Sequence, residues 1–327
     1  MKKHFLHLLL PLVTIIVSNC SKDSTTTTLA LEKIQLSLEN GQSSVVKITS
    51  GSGDYTLKQT DETIAQISIS DDKKNLVIKT LKVGNSDISV TDKQSNTTQV
   101  LKLTITPYVA KPTDYEVEGT TLKRWKNSNI TSLDMQSDPV LSKITAISED
   151  AFDRQANLIS IILPNSLTTI GRAAFAKTGL LSIEIPRSVT TISEYAFAES
   201  SLTKVTLHEG LTSISSHTFL GTKLISVTIP KGITALRENA FSNCTNLKEI
   251  TLPETITEIG KKAFEGNTEL KTVTIEATNP PTLGEDAFLN TLKLETIYVP
   301  KSAVQTYIGS YSGDKYWQQF QLKIKGK

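Results

Sequence analysis

The chain of 327 residues carries 35 Lys and Arg against 33 Asp and Glu, a formal net charge of +2. That balance argues against the basic surface of a nucleic-acid-binding protein, so we expect no nucleic-acid partner. Hydrophobic residues make up 38% of the chain, enough for a substantial core, and the length indicates two or three domains. Cys20 and Cys244 lie in regions of such different character that no disulfide framework organises the fold.

Residues 1–19 have the pattern of a signal peptide. Lys2 and Lys3 precede an apolar stretch of about 13 residues from Phe5 to Val17, whereas a membrane-spanning helix needs about 20. The stretch ends at Val17-Ser18-Asn19-Cys20, which resembles the lipobox of bacterial lipoproteins. The resemblance implies that Cys20 is lipidated and becomes the new N-terminus. A secretory leader with an incidental cysteine is the alternative.

Residues 20–28 are polar and have no period, which predicts a flexible tether. The segment Ser21-Lys22-Asp23-Ser24 resembles the export signal that sends some lipoproteins to the outer face of the outer membrane. This resemblance implies a protein anchored in the outer membrane and exposed on the cell surface. The N-terminal lipid would then be its only contact with the membrane.

Residues 29–108 alternate between apolar and polar side chains, with turn signals such as Asn40-Gly41 and Gly84-Asn85 between the runs. About seven short strands in this length predict an antiparallel β-sandwich. The segments Gly53-Asp54-Tyr55 and Ile64-Ala65-Gln66-Ile67 resemble a bacterial immunoglobulin-like (group 2) domain. We expect this domain to be a spacer that lifts the following domain off the membrane; binding by the domain itself is the alternative.

From Ser148 onward the sequence repeats. A phenylalanine recurs at intervals of 22 to 24 residues, at Phe152, Phe175, Phe197, Phe219, Phe241, Phe264 and Phe288. An aliphatic residue stands five positions before each of them, and Ala stands directly before each except at Thr218. Units of this length cannot close a core alone, so the spacing predicts a solenoid in which each coil stacks on the next.

Each repeat has two strand-like segments, one on each side of the Ala-Phe pair. In Leu180-Leu181-Ser182-Ile183-Glu184-Ile185-Pro186 the first, fourth and sixth positions are predicted to be buried, and the proline ends the strand. A second short strand, such as Val189 to Ile192, then leads into a brief helical turn that carries Ala and Phe. We therefore predict a mainly β fold with short helical turns, an N-terminal sandwich followed by a repeat solenoid.

These repeated segments resemble the BspA-like (Treponema-type) leucine-rich repeat over residues 142–300. Residues 109–141 are predicted to be a linker and N-terminal cap, and residues 301–327 a C-terminal cap, with Trp125 and Trp317 inside the caps. Cys244 falls where the family often has a cysteine in the turn before a strand, and it is expected to be a small buried residue.

No constellation for catalysis is recognisable. His208 and His217, the two histidines beyond the leader, are expected to be exposed to solvent, without the partners that a metal or acid–base site needs. There is no phosphate loop, nucleophile elbow or paired-carboxylate signature. We therefore expect no catalytic residue, no metal, no cofactor and no enzyme activity.

The predicted exposed positions of both strand series are mostly threonine, and the departures from this pattern are candidates for partner specificity: Glu184, Lys204, Glu249 and Tyr298. The family resemblance implies adhesion or protein–protein interaction, with host matrix proteins, other surface proteins or bacterial cells as partners. A carbohydrate-binding accessory lipoprotein of the outer membrane, with glycans as ligands, is the alternative. It would be favoured by exposed aromatic residues on one face.

Overall fold

The computed structural model describes residues 28–309 and 316–327. The predicted leader, Cys20 and nearly all of the predicted tether lie outside these ranges. Within them the chain is mainly β, with a sandwich followed by a solenoid, which confirms the expected fold class. The helices of the described ranges are short: the α-helix Val304–Gly309 and the 3-10 helices Leu141–Lys143, Lys301–Ala303 and Gln318–Lys323.

The sandwich contains eight strands. They are β1 Ala30–Leu31, β2 Gln35–Glu39, β3 Ser43–Ser50, β4 Tyr55–Gln59, β5 Ala65–Ile69, β6 Asn75–Thr80, β7 Gly84–Asp92 and β8 Thr98–Thr106. One sheet has the order β1-β3-β6-β5 and the other β2-β8-β7-β4. Their inward side chains, among them Val46, Leu76 and Leu101, form one core.

The expectation of a wholly antiparallel sandwich was wrong in one respect, because β2 runs parallel to β8, with Leu36 beside Leu103. The chain enters β2 and β8 from the same end of the sandwich, so the two strands point the same way. The two-residue strand β1 was not expected. Gly84 was predicted to lie in a turn but begins β7, where a Cβ would stand 2.7 Å from Ile64 Cδ1. The glycine there permits close packing instead of a turn.

The solenoid has two strand series. The first contains β11 Ser132–Asp134, β13 Ser160–Ile162, β15 Ser182–Glu184, β17 Lys204–Thr206, β19 Ser226–Thr228, β21 Glu249–Leu252, β23 Thr272–Ile275, β25 Thr296–Val299 and β26 Ile324–Gly326. The second contains β10 Thr121–Trp125, β12 Ala146–Ile147, β14 Thr169–Ile170, β16 Thr191–Ile192, β18 Ser213–Ile214, β20 Ala235–Leu236, β22 Glu258–Ile259 and β24 Thr282–Leu283. The strand β9, Tyr115–Glu118, pairs antiparallel with β10 and opens the array.

Successive coils stack in parallel register, so each buried side chain lies on its equivalent in the next coil. Ile183 pairs with Val205, and Ile250 with Val273. In the repeat around Leu180, the positions Leu180, Ile183 and Ile185 are buried as predicted.

The segment that carries Ala and Phe is a succession of turns held by hydrogen bonds between coils. Residues two before and two after the phenylalanine have positive φ, as at Ala173 (49°) and Lys177 (57°). The N–H groups of Ala173, Phe175 and Lys177 donate to carbonyls of the next coil, at 3.0, 2.8 and 2.8 Å. The same three bonds recur in later coils. Because these N–H groups bond between coils, they do not form the i to i−4 bonds of an α-helix.

The seven phenylalanines form a continuous ladder inside the solenoid. Neighbouring rings from Phe152 to Phe288 are 5.0 to 5.8 Å apart between centroids and within 14° of parallel. Trp125 continues the ladder at one end, 5.8 Å from Phe152, and Phe320 meets Phe288 edge-on at the other. Each end of the ladder is thus covered by an aromatic residue of the flanking segment.

Buried hydrogen bonds join the sandwich to the solenoid. Thr131 Oγ1 donates to Asn40 Oδ1 at 2.6 Å and lies 3.0 Å from the Leu81 carbonyl oxygen. Gly41 has φ +89°, and a Cβ there would stand 2.9 Å from Ile130 Cα. The two regions are therefore in direct backbone contact at this junction.

Candidate binding surface

The first strand series presents an outward sheet face, formed by the side chains on either side of each buried central residue. One row on this face contains Ser182, Lys204, Ser226, Glu249 and Thr272; the other contains Glu184, Thr206, Thr228, Thr251, Thr274 and Tyr298. Strand alternation produces the rows, because neighbouring side chains point to opposite faces.

The four predicted specificity residues lie on this face but do not form one cluster. Glu184 and Lys204 occupy neighbouring strands, in different rows. Glu249 and Tyr298 lie on β21 and β25, which β23 separates. Glu184, Lys204 and Glu249 are exposed, whereas Tyr298 is half-buried beside β26. The structure thus places Glu184 and Lys204 diagonally on adjacent strands, and Glu249 and Tyr298 two strands apart.

Threonines of the two strand series differ in what their hydroxyls do. In the second series, Thr168, Thr234 and Thr257 each direct the hydroxyl to a carbonyl of the preceding coil, at 3.0 to 3.2 Å. Within residues 28–309 and 316–327, the hydroxyls of Thr206, Thr228 and Thr251 form no such bond. Three threonines of the second series thus join coils through their hydroxyls, as Thr203 does beside the first series at 3.0 Å, whereas the threonine hydroxyls within the first-series strands leave the outward sheet face available to a ligand.

The expectation that both histidines are solvent-exposed was wrong. His217 is half-buried and stacks on Tyr195 with 4.3 Å between ring centroids, while the Arg172 guanidinium covers the other side of Tyr195 at 5.3 Å. Asn239 Nδ2 donates to His217 Nε2 at 3.0 Å. Burial lowers the pKa of His217, against the opposing charges of Glu238 and Glu194. His208 is also half-buried, and its Nδ1 accepts from the Gly210 N–H at 3.1 Å.

Sequence reasoning missed this stack although the repeat contains the signal for it. Tyr195 and His217 both stand two residues before a ladder phenylalanine, where the left-handed turn residue lies. Equivalent positions in adjacent coils are neighbours, so two aromatic residues there must meet. Arg172 lies over the Tyr195 ring, and Asn239 forms a hydrogen bond with the edge of the His217 ring at Nε2, so the stack has polar partners on both residues.

Cys244 is fully buried, as expected. Its Sγ donates to the Phe219 carbonyl oxygen at 3.1 Å and lies 3.2 Å from Thr222 Oγ1. Burial raises the pKa of the thiol to about 12. A thiol in this state is a packing residue that joins two coils, because nucleophilic attack requires the thiolate.

The described part of the chain contains no group of three or more His, Cys, Asp or Glu side chains placed to hold a metal ion. Across the same residues, no helix has the length and apolar character needed to cross a membrane. The outward sheet face presents hydroxyls, a few charges and one tyrosine on a parallel sheet.

A parallel solenoid of coils of about 22 residues with stacked Leu, Ile and Phe defines a leucine-rich-repeat protein. The family model for the BspA type leucine rich repeat region matches residues 122–248 and 235–324, more than half of the chain. The chain belongs to the BspA-type leucine-rich-repeat family. Such repeats are a non-catalytic scaffold type. Comparison with curated proteins gives no match.

Several solved bacterial structures are similar to this chain. The leucine-rich-repeat protein of T. pallidum is 19% identical, with a TM-score of 0.40, covering 67% of this chain and 97% of its own. The pneumococcal vaccine antigen PcpA is 16% identical, with a TM-score of 0.37, covering 69% and 85%. A leucine-rich cell surface protein of Faecalibacterium prausnitzii is 17% identical, with a TM-score of 0.30, covering 74% and 97%.

Proposed function

We propose that the protein is a cell-surface lipoprotein that binds other proteins, and through them surfaces or cells, by the outward sheet face of its solenoid. The row of Thr206, Thr228 and Thr251 on that face, whose hydroxyls bond to no carbonyl of a neighbouring coil within the described ranges, carries the proposal. Glu184, Lys204, Glu249 and Tyr298 interrupt an otherwise uniform polar surface, and they would select the partner. An extended sheet surface is the usual binding site of a repeat solenoid.

We further propose that the sandwich, as an immunoglobulin-like domain, is the spacer between membrane and solenoid. Ser50 Oγ donates to the Thr28 carbonyl oxygen, and the Leu29 N–H donates to Thr97 Oγ1 at 3.2 Å. Ser50 and Thr97 stand at the strand ends opposite to those that contact Thr131. The chain therefore enters the sandwich at the end remote from the solenoid, an arrangement that supports a spacer role.

The lipid anchor at Cys20 is tested by acyl labelling. Cys20→Ala is expected to abolish incorporation of a labelled fatty acid and to release the protein from the outer-membrane fraction. Cys244→Ala serves as the matched control, since its thiol is buried, and it should be labelled normally. Labelling of Cys20→Ala at the normal level would remove the anchor from the proposal.

Binding is tested with the soluble full chain on a panel of immobilised matrix proteins and a glycan array. For a bound matrix protein, Glu249→Thr with Tyr298→Thr should weaken affinity about tenfold, because a few anchors dominate most interfaces. Thr190→Ala, on the second strand series, should leave affinity unchanged. If the sandwich alone reproduces full binding, the roles of the two regions are reversed. Binding to glycans alone would favour the carbohydrate-binding alternative.

A further inference from the structure

An apolar cleft of about 610 Å³ lies where the sandwich meets the first coils. Its walls include Leu81, Val83, Pro107 and Tyr108 from the sandwich side, and Ile162 and Leu181 from the solenoid. A volume of this size is typical of ligand pockets, which often form between domains.

Ile162 departs from the repeat pattern of the following coils, and Leu181 shares its apolar character with only one of the next three coils. Ile162 is 52% exposed and Leu181 is 48% exposed. The position of Ile162 is occupied in the next coils by Glu184, Thr206 and Thr228, and that of Leu181 by Thr203, Ile225 and Lys248. Val83, 38% exposed, faces them from the sandwich. Exposed apolar side chains are thus gathered where the two regions meet, and grouping of this kind marks an interaction site.

The walls of the cleft are held in place before any ligand arrives. Thr131 lines the cleft and its hydroxyl joins Asn40 and the Leu81 carbonyl, at 2.6 and 3.0 Å. Binding to such a site needs little ordering of the protein, and a smaller loss of conformational entropy leaves a more favourable binding free energy.

The charge at the rim indicates what the occupant carries. Lys82 is exposed at the cleft, and its only charge interaction among the described residues is a long-range one with Asp61, beyond ion-pair distance. Asp134, also at the cleft, already accepts from the backbone N–H groups of Gln136 and Ser137 at 2.9 and 3.3 Å. An occupant with an acidic group would therefore complement Lys82, whose ammonium group forms no ion pair with the residues that the structure describes.

The cleft opens onto the outward sheet face. Ser132 and Ser160, which line it, are outward residues of β11 and β13 and begin the first of the two rows. A chain segment seated in the cleft can therefore continue along the sheet, which a small apolar molecule cannot do.

We propose that this junction cleft is the anchor pocket for a protein partner, taking one aliphatic or aromatic side chain that stands beside an Asp or Glu in the partner's sequence. The proposal rests on the proposed function and adds the chemistry of the partner. Interfaces are dominated by a few apolar side chains placed in preformed pockets and surrounded by polar contacts, and this surface provides that arrangement.

The test selects binders of the full soluble chain from a random peptide library and measures the affinity of the enriched peptides by fluorescence anisotropy. We expect enriched sequences with an apolar residue next to an acidic one. Ile162→Thr with Leu181→Thr should weaken their binding about tenfold or more, as for loss of a hot spot. Both replacements are residues that other coils carry at these positions, and both sites are exposed, so the fold is retained.

Matched controls come from the same chain. Ile225→Thr lies at the position equivalent to Leu181, two coils away, is 49% exposed in the native protein, and should leave affinity unchanged. Lys82→Gln should weaken binding severalfold and reduce its dependence on salt, because it removes one screened charge interaction.

Three outcomes would overturn the cleft proposal. One is affinity that does not respond to Ile162→Thr with Leu181→Thr; another is enrichment of basic peptides. The third is failure of every peptide while an apolar dye such as anilinonaphthalene sulfonate binds in the cleft, which indicates a small-molecule site. If the peptides lose affinity with Glu249→Thr and Tyr298→Thr but not with the cleft variants, the outward sheet face remains the binding site and only the cleft proposal is rejected. If peptide binding depends on the cleft, but Glu249→Thr and Tyr298→Thr do not affect binding to matrix proteins, the cleft proposal stands and the proposed role of the outward sheet face is contradicted.

Discussion

The sandwich and the solenoid are both built from short strands, but the two regions differ in how far apart along the chain the paired strands lie. In the sandwich, β2 pairs with β8, so Leu36 lies beside Leu103. In the solenoid, each strand of a series pairs with its equivalent one coil later, as Ile183 does with Val205. The sandwich is therefore complete only when its first and last strands meet, whereas a coil depends on its immediate neighbours alone.

The two regions also differ in how ion pairs are used. In the solenoid, ion pairs such as Arg172–Glu149 at 2.7 Å and Lys261–Glu285 at 2.8 Å join successive coils. In the sandwich, Lys93–Asp54 at 2.8 Å joins neighbouring strand ends. All these side chains are about half exposed, where a pair contributes about 0–1 kcal/mol. At that magnitude, packing and not ion pairing must hold the coils together.

The largest expected effect comes from truncating the phenylalanine ladder. Phe219 is fully buried between Phe197 and Phe241, so Phe219→Ala should cost about 3–5 kcal/mol in the free energy of unfolding. Because coils depend on their neighbours, hydrogen exchange should rise in adjacent coils as well. Urea unfolding and exchange mass spectrometry measure the two quantities.

Leu76→Ala is the control in the sandwich, where Leu76 is fully buried. It should cost about 2–5 kcal/mol and raise exchange throughout the sandwich, with little change in the distant coils. A cost below about 1 kcal/mol for Phe219→Ala, or exchange confined to its own coil, would contradict the stacking account.

The contact between the two regions is tested at Gly41. Gly41→Ala would place a Cβ 2.9 Å from Ile130 Cα on a backbone with φ +89°. The cost should be about 1–3 kcal/mol, and the junction should loosen, as seen by small-angle scattering. Gly53→Ala is the matched control: its φ is +88°, and the nearest atom is Lys73 Cβ at 3.9 Å. Equal effects of the two changes would show that backbone strain alone acts at Gly41.

A smaller, pH-dependent effect is expected at His217. Its pKa in the folded protein lies below the usual 6.5 because burial disfavours the imidazolium. The unfolded chain then binds more protons between the folded pKa and about 6.5, so stability falls as the pH drops through that window. His217→Gln should flatten this part of the stability–pH profile. An unchanged slope in the variant would assign the dependence to other groups.

The smallest expected effect is that of a single ion pair between coils. Arg237 Nη1 lies 2.5 Å from Glu258 Oε2, with side chains 50% and 39% exposed. A double-mutant cycle with Arg237→Ala and Glu258→Ala should give a coupling of about 0.2–1 kcal/mol that decreases with added salt. A coupling comparable to the cost of Phe219→Ala would mean that ion pairs contribute as much as packing.

The regions also differ in how far their structure could be predicted. Seven copies of the repeat show the same environment at the same position, so the buried Leu, Ile and Phe positions were evident without coordinates. In the sandwich, alternation located the main strands but did not show that β2 is parallel to β8, since pairing between distant strands leaves no local signal. For the same reason β1 was missed, and Gly84 was assigned to a turn.

The candidate surface was predictable in part. The sequence showed which residues depart from the threonine pattern, but not that the hydroxyls of Thr168 and Thr257 are used between coils while those of Thr206 and Thr228 are free. Threonine recurs in both series, so composition does not distinguish them. Only the distance from each hydroxyl to a carbonyl of the neighbouring coil distinguishes them.

The period, the buried ladder and the family can all be inferred without coordinates, because a repeated unit must bury the same positions in every copy. The parallel pairing of β2 with β8, the stack of Tyr195 on His217 and the junction cleft become visible only in the folded protein. The cleft depends on a hydrogen bond between Asn40 and Thr131, 91 residues apart. Contacts between regions that share no period are set by packing and shape, and no local pattern of residues encodes them.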